Sequence, residues 1–160
     1  MASRVVSREQ AVRIRERWRQ AGHTVVLTNG CFDLLHLGHV RYLEAARRFG
    51  HLIVAIISDA SVRSLKGPSR PIVPAAERAE VIAALRSVDL VTIFEEPTAE
   101  TIVELLRPDV YVKGSDYGPT GRPWPEAIIA ARLGARVEVI PLVEGHSTSD
   151  LIAAIRRREP

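Results

Sequence analysis

Val25-Val26-Leu27-Thr28-Asn29-Gly30-Cys31-Phe32-Asp33-Leu34-Leu35-His36-Leu37-Gly38-His39 is the stretch whose reading decides the fold. Val25 to Leu27 is a short apolar run of the β-branched kind that strands favour. Thr28 to Leu35 reads as a turn. From about Leu37 to Phe49 the spacing of Val40, Leu43 and Ala46 predicts an amphipathic helix, with Gly50 as its stop. A strand that runs through a turn straight into a helix aims the helix N-terminus and its spare backbone N–H groups at one spot, a geometry suited to phosphate.

Outward from that junction the same alternation recurs. Before it, Ser7 and Gln10 form a capping-box pattern ahead of a helix predicted over 8–21, with Ile14 and Trp18 on one face. After it, strands are predicted at 52–58, 88–94, 109–113 and 136–140. Between them come a short helical turn at 59–65, a Pro/Gly/Ser loop at 66–74 and helices at 75–85, 98–106 (capped by Thr98) and 126–133. A Gly/Pro-rich loop occupies 114–125, and Ser147 or Ser149 caps a last helix to about Arg158. Five apolar strands alternating with helices imply right-handed crossovers. The fold class expected is α/β: one Rossmann-like domain over 1–160, a five-stranded, mostly parallel sheet with helices on both faces, and the 8–21 helix packed on it. Ligands of such sheets bind beyond the C-terminal strand ends, at the switch point, and every motif below follows a strand.

The chain has 160 residues, 46% hydrophobic and 26% charged, which suits one globular domain with a real core. Its longest apolar runs, such as Leu52 to Ile57, are too short to span a bilayer, and no apolar signal core opens the sequence. Cys31 is the single cysteine, so no internal disulfide can form and a thiolate zinc cluster is excluded. A cytoplasmic protein without membrane association is expected. The net charge of +3 is spread along the chain except at Arg156-Arg157-Arg158, without interleaved aromatics, so nucleic acid is not expected as a partner. A modest positive balance equally suits an enzyme of small polyanions.

His36-Leu37-Gly38-His39 is the most specific signal. From the chain's own composition a His-x-Gly-His is expected about 0.01 times by chance. Two imidazoles three residues apart can converge on one group, and Gly38 lets that group approach the backbone. A plain pair of structural histidines is the alternative. Zinc is a poor fit, since no third ligand lies at usable spacing.

The string Thr28-Asn29-Gly30-Cys31-Phe32-Asp33-Leu34-Leu35-His36-x-Gly-His-Val-Arg-Tyr-Leu resembles the nucleotidylyltransferase superfamily with the HxGH signature, and its heptose-phosphate branch in particular. The blocks Ser58 to Ile72, Glu77 to Asp89, Arg107 to Tyr117 and Pro141 to Ile152 extend the resemblance nearly end to end. Members of that branch make ADP-heptose, often as the second domain of a bifunctional kinase. The resemblance implies attack of a sugar 1-phosphate on the α-phosphorus of a nucleoside triphosphate, with pyrophosphate leaving. It implies contact of His36 and His39 with the triphosphate as hydrogen-bond donors, backbone N–H groups of Cys31 and Phe32 around the phosphates, and Gly38 at the helix start. Lys66, in a loop of mobile aspect, would close over the phosphates as a catalytic and substrate-binding cation, with Arg70 a weaker candidate of the same kind. Lys113 and Gly114 would border the nucleotide. Asp33 would bind substrate hydroxyls or hold the turn, and Asp116 would bind substrate. Gly145, Ser147, Thr148 and Ser149 would meet the β and γ phosphates at the last helix start. Mg²⁺ would arrive with the triphosphate, with no dedicated protein metal site.

Several readings stay open on the residues alone. The Cys31 thiol reads as incidental, Arg78 as either a binding or an ion-pair residue, and Trp124 as a loop anchor or a stacking platform. Ser147 to Ser149 resemble the superfamily's second signature, ISSTxxR, but Ile152 stands where its arginine would be. Which cation meets the terminal phosphates is therefore open, and nothing in the sequence shows that Arg156 faces the site. Rival functions are cytidylyl transfer to glycerol phosphate or a phospho-alcohol, guanylyl transfer to a heptose phosphate, an inactive nucleotide-binding regulatory module, and a basic nucleic-acid binder. A homodimer is compatible with the leading reading.

Overall fold

Alternation at a period of two sorts the apolar side chains of the central strands onto two sheet faces, so helices must cover both. The computed structural model describes residues 4–116 and 124–158. Its elements are α1 (Arg8–Gln20), β1 (Val25–Gly30), α2 (Leu37–Arg47), β2 (His51–Ile57), α3 (Asp59–Lys66), α4 (Ala75–Ala83), β3 (Leu90–Phe94), α5 (Glu100–Leu106), β4 (Val110–Gly114), α6 (Pro125–Arg132), β5 (Arg136–Ile140) and α7 (Thr148–Arg156). All strand pairs are parallel, in the order β3-β2-β1-β4-β5. The expected α/β class, with one five-stranded sheet between two helix layers, is the one found.

Val25 and Leu27 of β1 and Ile53, Ala55 and Ile57 of β2 point to one face, where Ala11 of α1, Ile102 and Leu106 of α5 and Ala130 of α6 close over them. Val26, Leu52, Val54 and Ile56 point to the other, under Leu43 and Ala46 of α2 and Ile82 of α4. Acidic side chains hold two strand starts in register: Asp109 accepts the Val25 N–H at 2.8 Å, and Asp89 accepts the Leu52 N–H at 2.7 Å. Val5 bridges Val91 and lies along the outer side of β3.

The structure departs from the sequence expectation in three places. β1 runs on through Thr28, Asn29 and Gly30, because their backbone groups pair with Val54, Ala55 and Ile56 of β2; the ladder overrides the turn chemistry of those residues. Asp59 to Lys66 is a full helix capped by Ser58, so Lys66 ends a helix instead of riding in a loop. Thr98 does not cap α5: its hydroxyl donates to Glu100, and Ala99 takes the cap position without a side-chain bond. The expected loop at 114–125 lies largely outside the described residues. Chain order reverses between β1 and β4, so the switch point lies beyond Gly30 and Gly114.

Candidate nucleotide site at the switch point

Phe32, just after β1, sits at φ 50°, a left-handed conformation uncommon for a bulky residue and a local mark of a constrained turn. His36 then takes the N-cap position of α2 in extended conformation (φ −143°, ψ 172°) and makes no side-chain cap bond. The N–H groups of Leu37 and Gly38 thus open the helix without intrahelical acceptors. The two imidazoles do converge, His36 from the cap and His39 from the first turn, with ring centroids 3.8 Å apart at 28°. A Cβ on Gly38 would stand 2.9 Å from the His36 ring and 3.3 Å from Cβ of His146. Gly38 therefore makes room for the imidazoles themselves, which sharpens its role from ligand approach to ring placement.

Burial pushes His39 down to about 4, helped by His36 and Lys66. His36 is also lowered, by burial and then by His146. The lowering favours neutral rings near pH 7. Their buried Nδ1 atoms have no hydrogen-bond partner among the described residues.

A cavity of about 280 Å³ opens over this pair. Of the residues expected at the site, Cys31, Phe32, His36, Gly38, His39, Lys66, Lys113, Gly114, Asp116, Ser147, Thr148 and Ser149 all line it; Asp33 and Gly145 do not. Gly145 lies outside the lining at φ 72°, a left-handed turn that only glycine makes without strain. Of the two roles the sequence left open for Asp33, the geometry favours holding the turn. Its side chain is 1% exposed, and its oxygens accept the N–H groups of Ile72 and Val73 at 2.9–3.0 Å and Nε of Arg70 at 2.9 Å. Burial alone would raise this carboxyl, but those donors outweigh it and hold it below the usual value. Asp33 shapes the loop after α3 and aims Arg70.

Thr148 donates to the Leu34 carbonyl at 3.2 Å and ties the start of α7 to the turn before the histidines. Ser147 caps α7 by accepting the Asp150 N–H at 3.0 Å. Lys113 is buried at the end of β4, with Nζ 3.1 Å from the Asn29 carbonyl oxygen and 3.9 Å from Glu126. Tyr42 Oη lies 2.7 Å from Thr28 Oγ1, and both reach the Val112 carbonyl, which locks α2 onto β1 and β4. Arg78 resolves as structural: at 1% exposure it joins Asp59 and the carbonyls of Cys31, Ile57 and Val73. Burial raises the Cys31 thiol against the opposing pull of Lys66 and Arg78, which favours its protonated form. Trp124 packs into the core beside Tyr111.

Asn29, Tyr42, Leu142 and His146 also line the cavity and escaped the sequence reading. The signal for His146 was present, one residue before the hydroxyl cluster. A neighbouring cavity of about 530 Å³ shares Asn29, Gly30, Cys31, Lys66 and Lys113 and continues over Val62, Phe94 and Glu126. A larger groove of about 810 Å³ runs along α1, but it gathers no histidine, hydroxyl or lysine cluster and lies away from the strand ends. Among the described residues no group of three or more His, Cys, Asp or Glu forms a metal site, and no helix is long and apolar enough to cross a membrane.

A parallel sheet whose switch point carries paired imidazoles, two open helix starts and buried lysine defines a nucleotide-handling α/β protein of the nucleotidyltransferase class. The chain belongs to the Cytidylyltransferase-like family, whose match covers residues 27–154. It is 48% identical over 98% of its length to the bifunctional protein HldE of Syntrophotalea carbinolica, and 50% identical over 94% to that of Koribacter versatilis. The chain spans about a third of those relatives, 32% and 31% of their lengths. Among solved structures, the lipopolysaccharide core biosynthesis protein of Thermoplasma volcanium matches 78% of this chain and 100% of its own, at 27% identity and TM-score 0.63. The pantoate-beta-alanine ligase of Francisella tularensis shares the fold alone, at 13% identity and TM-score 0.59 over 99% of this chain and 80% of its own.

Proposed function

We propose that the chain transfers the nucleotidyl group of a nucleoside triphosphate, ATP in the leading reading, to a sugar 1-phosphate, with heptose 1-phosphate as the acceptor. The observation that carries this is the convergence of the His36–His39 pair with the starts of α2 and α7 and with Lys66 and Lys113 on one cavity. The near-half identity to HldE proteins and the likeness to a lipopolysaccharide core biosynthesis protein support a glycan precursor as the acceptor.

The triphosphate is taken as its Mg²⁺ complex, the metal being part of the substrate. An oxygen of the sugar phosphate bonds to the α-phosphorus, the bond to the bridging oxygen of the β-phosphate breaks, and the electron pair leaves with pyrophosphate. Charge gathers on the equatorial oxygens in the transition state. His36 and His39 donate to those oxygens, and preorganised N–H groups at α2 and α7 act alongside them. The 530 Å³ cavity, with Glu126 and Lys113 at its floor, offers the acceptor a partly apolar seat next to the reacting phosphorus. The compartment proposed is the cytoplasm, and the assembly proposed is a homodimer, to be read by sedimentation.

The test is pyrophosphate release with Mg²⁺, each of four nucleoside triphosphates, and a panel of sugar 1-phosphates and alcohol phosphates. ATP with a heptose 1-phosphate is expected to react fastest. CTP with glycerol phosphate reacting faster would favour the cytidylyl alternative, and silence across the panel would sink the enzyme reading. His39→Ala is expected to cost about 10²–10³ in kcat, the scale of losing one transition-state donor, with folding retained by circular dichroism.

A further inference from the structure

Glu126 stands in the first turn of α6, where an acidic side chain ordinarily sits in solvent beside the positive end of the helix dipole. Here its side chain is only 9% exposed, and it lines the part of the 530 Å³ cavity that the cavity over the histidines does not share. The one ion pair it makes among the described residues is with Lys113, whose Nζ lies 3.9 Å away, outside hydrogen-bond reach, and itself donates to the Asn29 carbonyl at 3.1 Å. The charge of Glu126 is thus balanced, while no described residue donates a hydrogen bond to its carboxyl oxygens. Buried carboxyl oxygens are ordinarily hydrogen-bonded, and an exception calls for an explanation. Asn29, near the end of β1, lines both cavities. Tyr111 Oη donates to its Oδ1 and Lys113 to its carbonyl, so the amide is held with Nδ2 as its remaining donor. Val62, Leu65, Phe94 and Pro97 give the 530 Å³ cavity an apolar wall. Lys66 and Lys113 line both spaces, so the cations belong to the junction, and Glu126, the one acidic residue of this lining, lies beyond it.

We propose that Glu126 reads the hydroxyl groups of the acceptor: its two carboxyl oxygens accept from neighbouring ring hydroxyls, while the Asn29 amide donates to an acceptor oxygen at the junction of the cavities. The inference rests on the nucleotidyl-transfer reading and names the acceptor class as the phosphate of a polyhydroxylated ring, not a short phospho-alcohol. The arrangement of charge gives the acceptor one direction. Its phosphate is drawn to Lys66 and repelled by Glu126, so the hydroxyl-bearing end occupies the far part of the cavity. The apolar wall takes the C–H face of the ring. A site built to hydrogen-bond hydroxyls discriminates against an analogue that lacks them, because its own polar groups are then left unpaired.

The test is steady-state pyrophosphate release by the full chain with MgATP and three kinds of acceptor: heptose 1-phosphate, its monodeoxy analogues at the ring hydroxyls, and glycerol 3-phosphate. Glu126→Ala is expected to raise KM for heptose 1-phosphate about tenfold or more, as loss of hydrogen bonds to a charged group does, and KM for ATP by less than about twofold. Glu126→Gln, which keeps the shape and one accepting oxygen, should fall between, and it covers the case in which the alanine variant folds poorly. In the wild type at least one monodeoxy analogue should lose about tenfold in kcat/KM. In Glu126→Ala the same analogue should lose less than about twofold, since its contact is already gone. A side chain that serves only to pair with Lys113 would give equal deoxy penalties in both proteins. That result, an unchanged acceptor KM, or faster turnover of glycerol 3-phosphate than of heptose 1-phosphate overturns the inference and leaves nucleotidyl transfer itself standing. Calorimetric binding of heptose 1-phosphate in the presence of α,β-methylene ATP reads the seat without turnover. Binding that Glu126→Ala weakens about tenfold, in a protein that transfers nothing, keeps the hydroxyl-reading seat and sinks the transfer reading; no binding and no transfer sink both.

Discussion

His39 shows how one side chain couples the site to the stability of the chain. Its pKa is held near 4 by burial, against 6.5 in a solvated chain. Between those values the unfolded chain binds a proton that the folded chain refuses, so stability rises with pH across the window and is lost as pH falls from about 6.5 to 4. The ligand-free protein is expected to lose melting temperature over that range, and His39→Ala should flatten the slope in a Tm-against-pH series. An unchanged slope would remove His39 as its source. Most residues that line the cavity could be read at this scale, because a histidine pair, a Lys-Gly turn and a hydroxyl run keep their meaning in one dimension. Asp33 could not. Its carboxylate looks available in the string, yet it is spent on Ile72, Val73 and Arg70, which lie more than thirty-five residues away. Arg78, open between two roles in the sequence, was settled by the same kind of distant partner.

The elements that matter most are the starts of α2 and α7. α2 is anchored through Tyr42, Leu43 and Ala46, whereas α7 has no fully buried residue. Near the site it is tied by the Thr148 bond to Leu34, while the Ser147 cap closes only the helix's own first turn. An element with so little buried surface opens locally at low cost. Hydrogen exchange is expected to show α7 poorly protected without ligand and protected with MgATP. Thr148→Val, which keeps the shape and removes the donor, should cost about 1 kcal/mol of stability and raise KM for the triphosphate several-fold with kcat changed less. A variant with wild-type KM would show that the tie to Leu34 does not place the helix. The helices themselves were legible from periodicity and caps; the extension of β1 through Thr28 to Gly30 was not, because pairing with β2 overrules local turn preference.

For the whole molecule, the placement of charge matters more than its total. A net charge of +3 says little, but Lys66, Arg70, Arg156 and Arg157 gather at one mouth of the sheet edge, where their field favours an incoming polyanion. A ligand that joins α7, the histidine turn and the α3–α4 loop links parts of the molecule that the core alone holds weakly. Saturating MgATP at a hundredfold over Kd is expected to add about 2.7 kcal/mol, read as a rise of about 5–10 °C in melting temperature for a domain of this size. A shift of the same size with AMP alone would argue that the terminal phosphates add nothing.

The alternation of strands and helices, the two-faced core and the grouping of chemistry after strands were settled by the sequence itself, because periodicity, caps and turn residues are local properties. The strand order, and with it the switch point between β1 and β4, was decided only in three dimensions. So were the stacking of His36 on His39 beside His146 and the engagement of Asp33 with the loop. Each depends on contacts between residues far apart in the chain, whose partners no local pattern names.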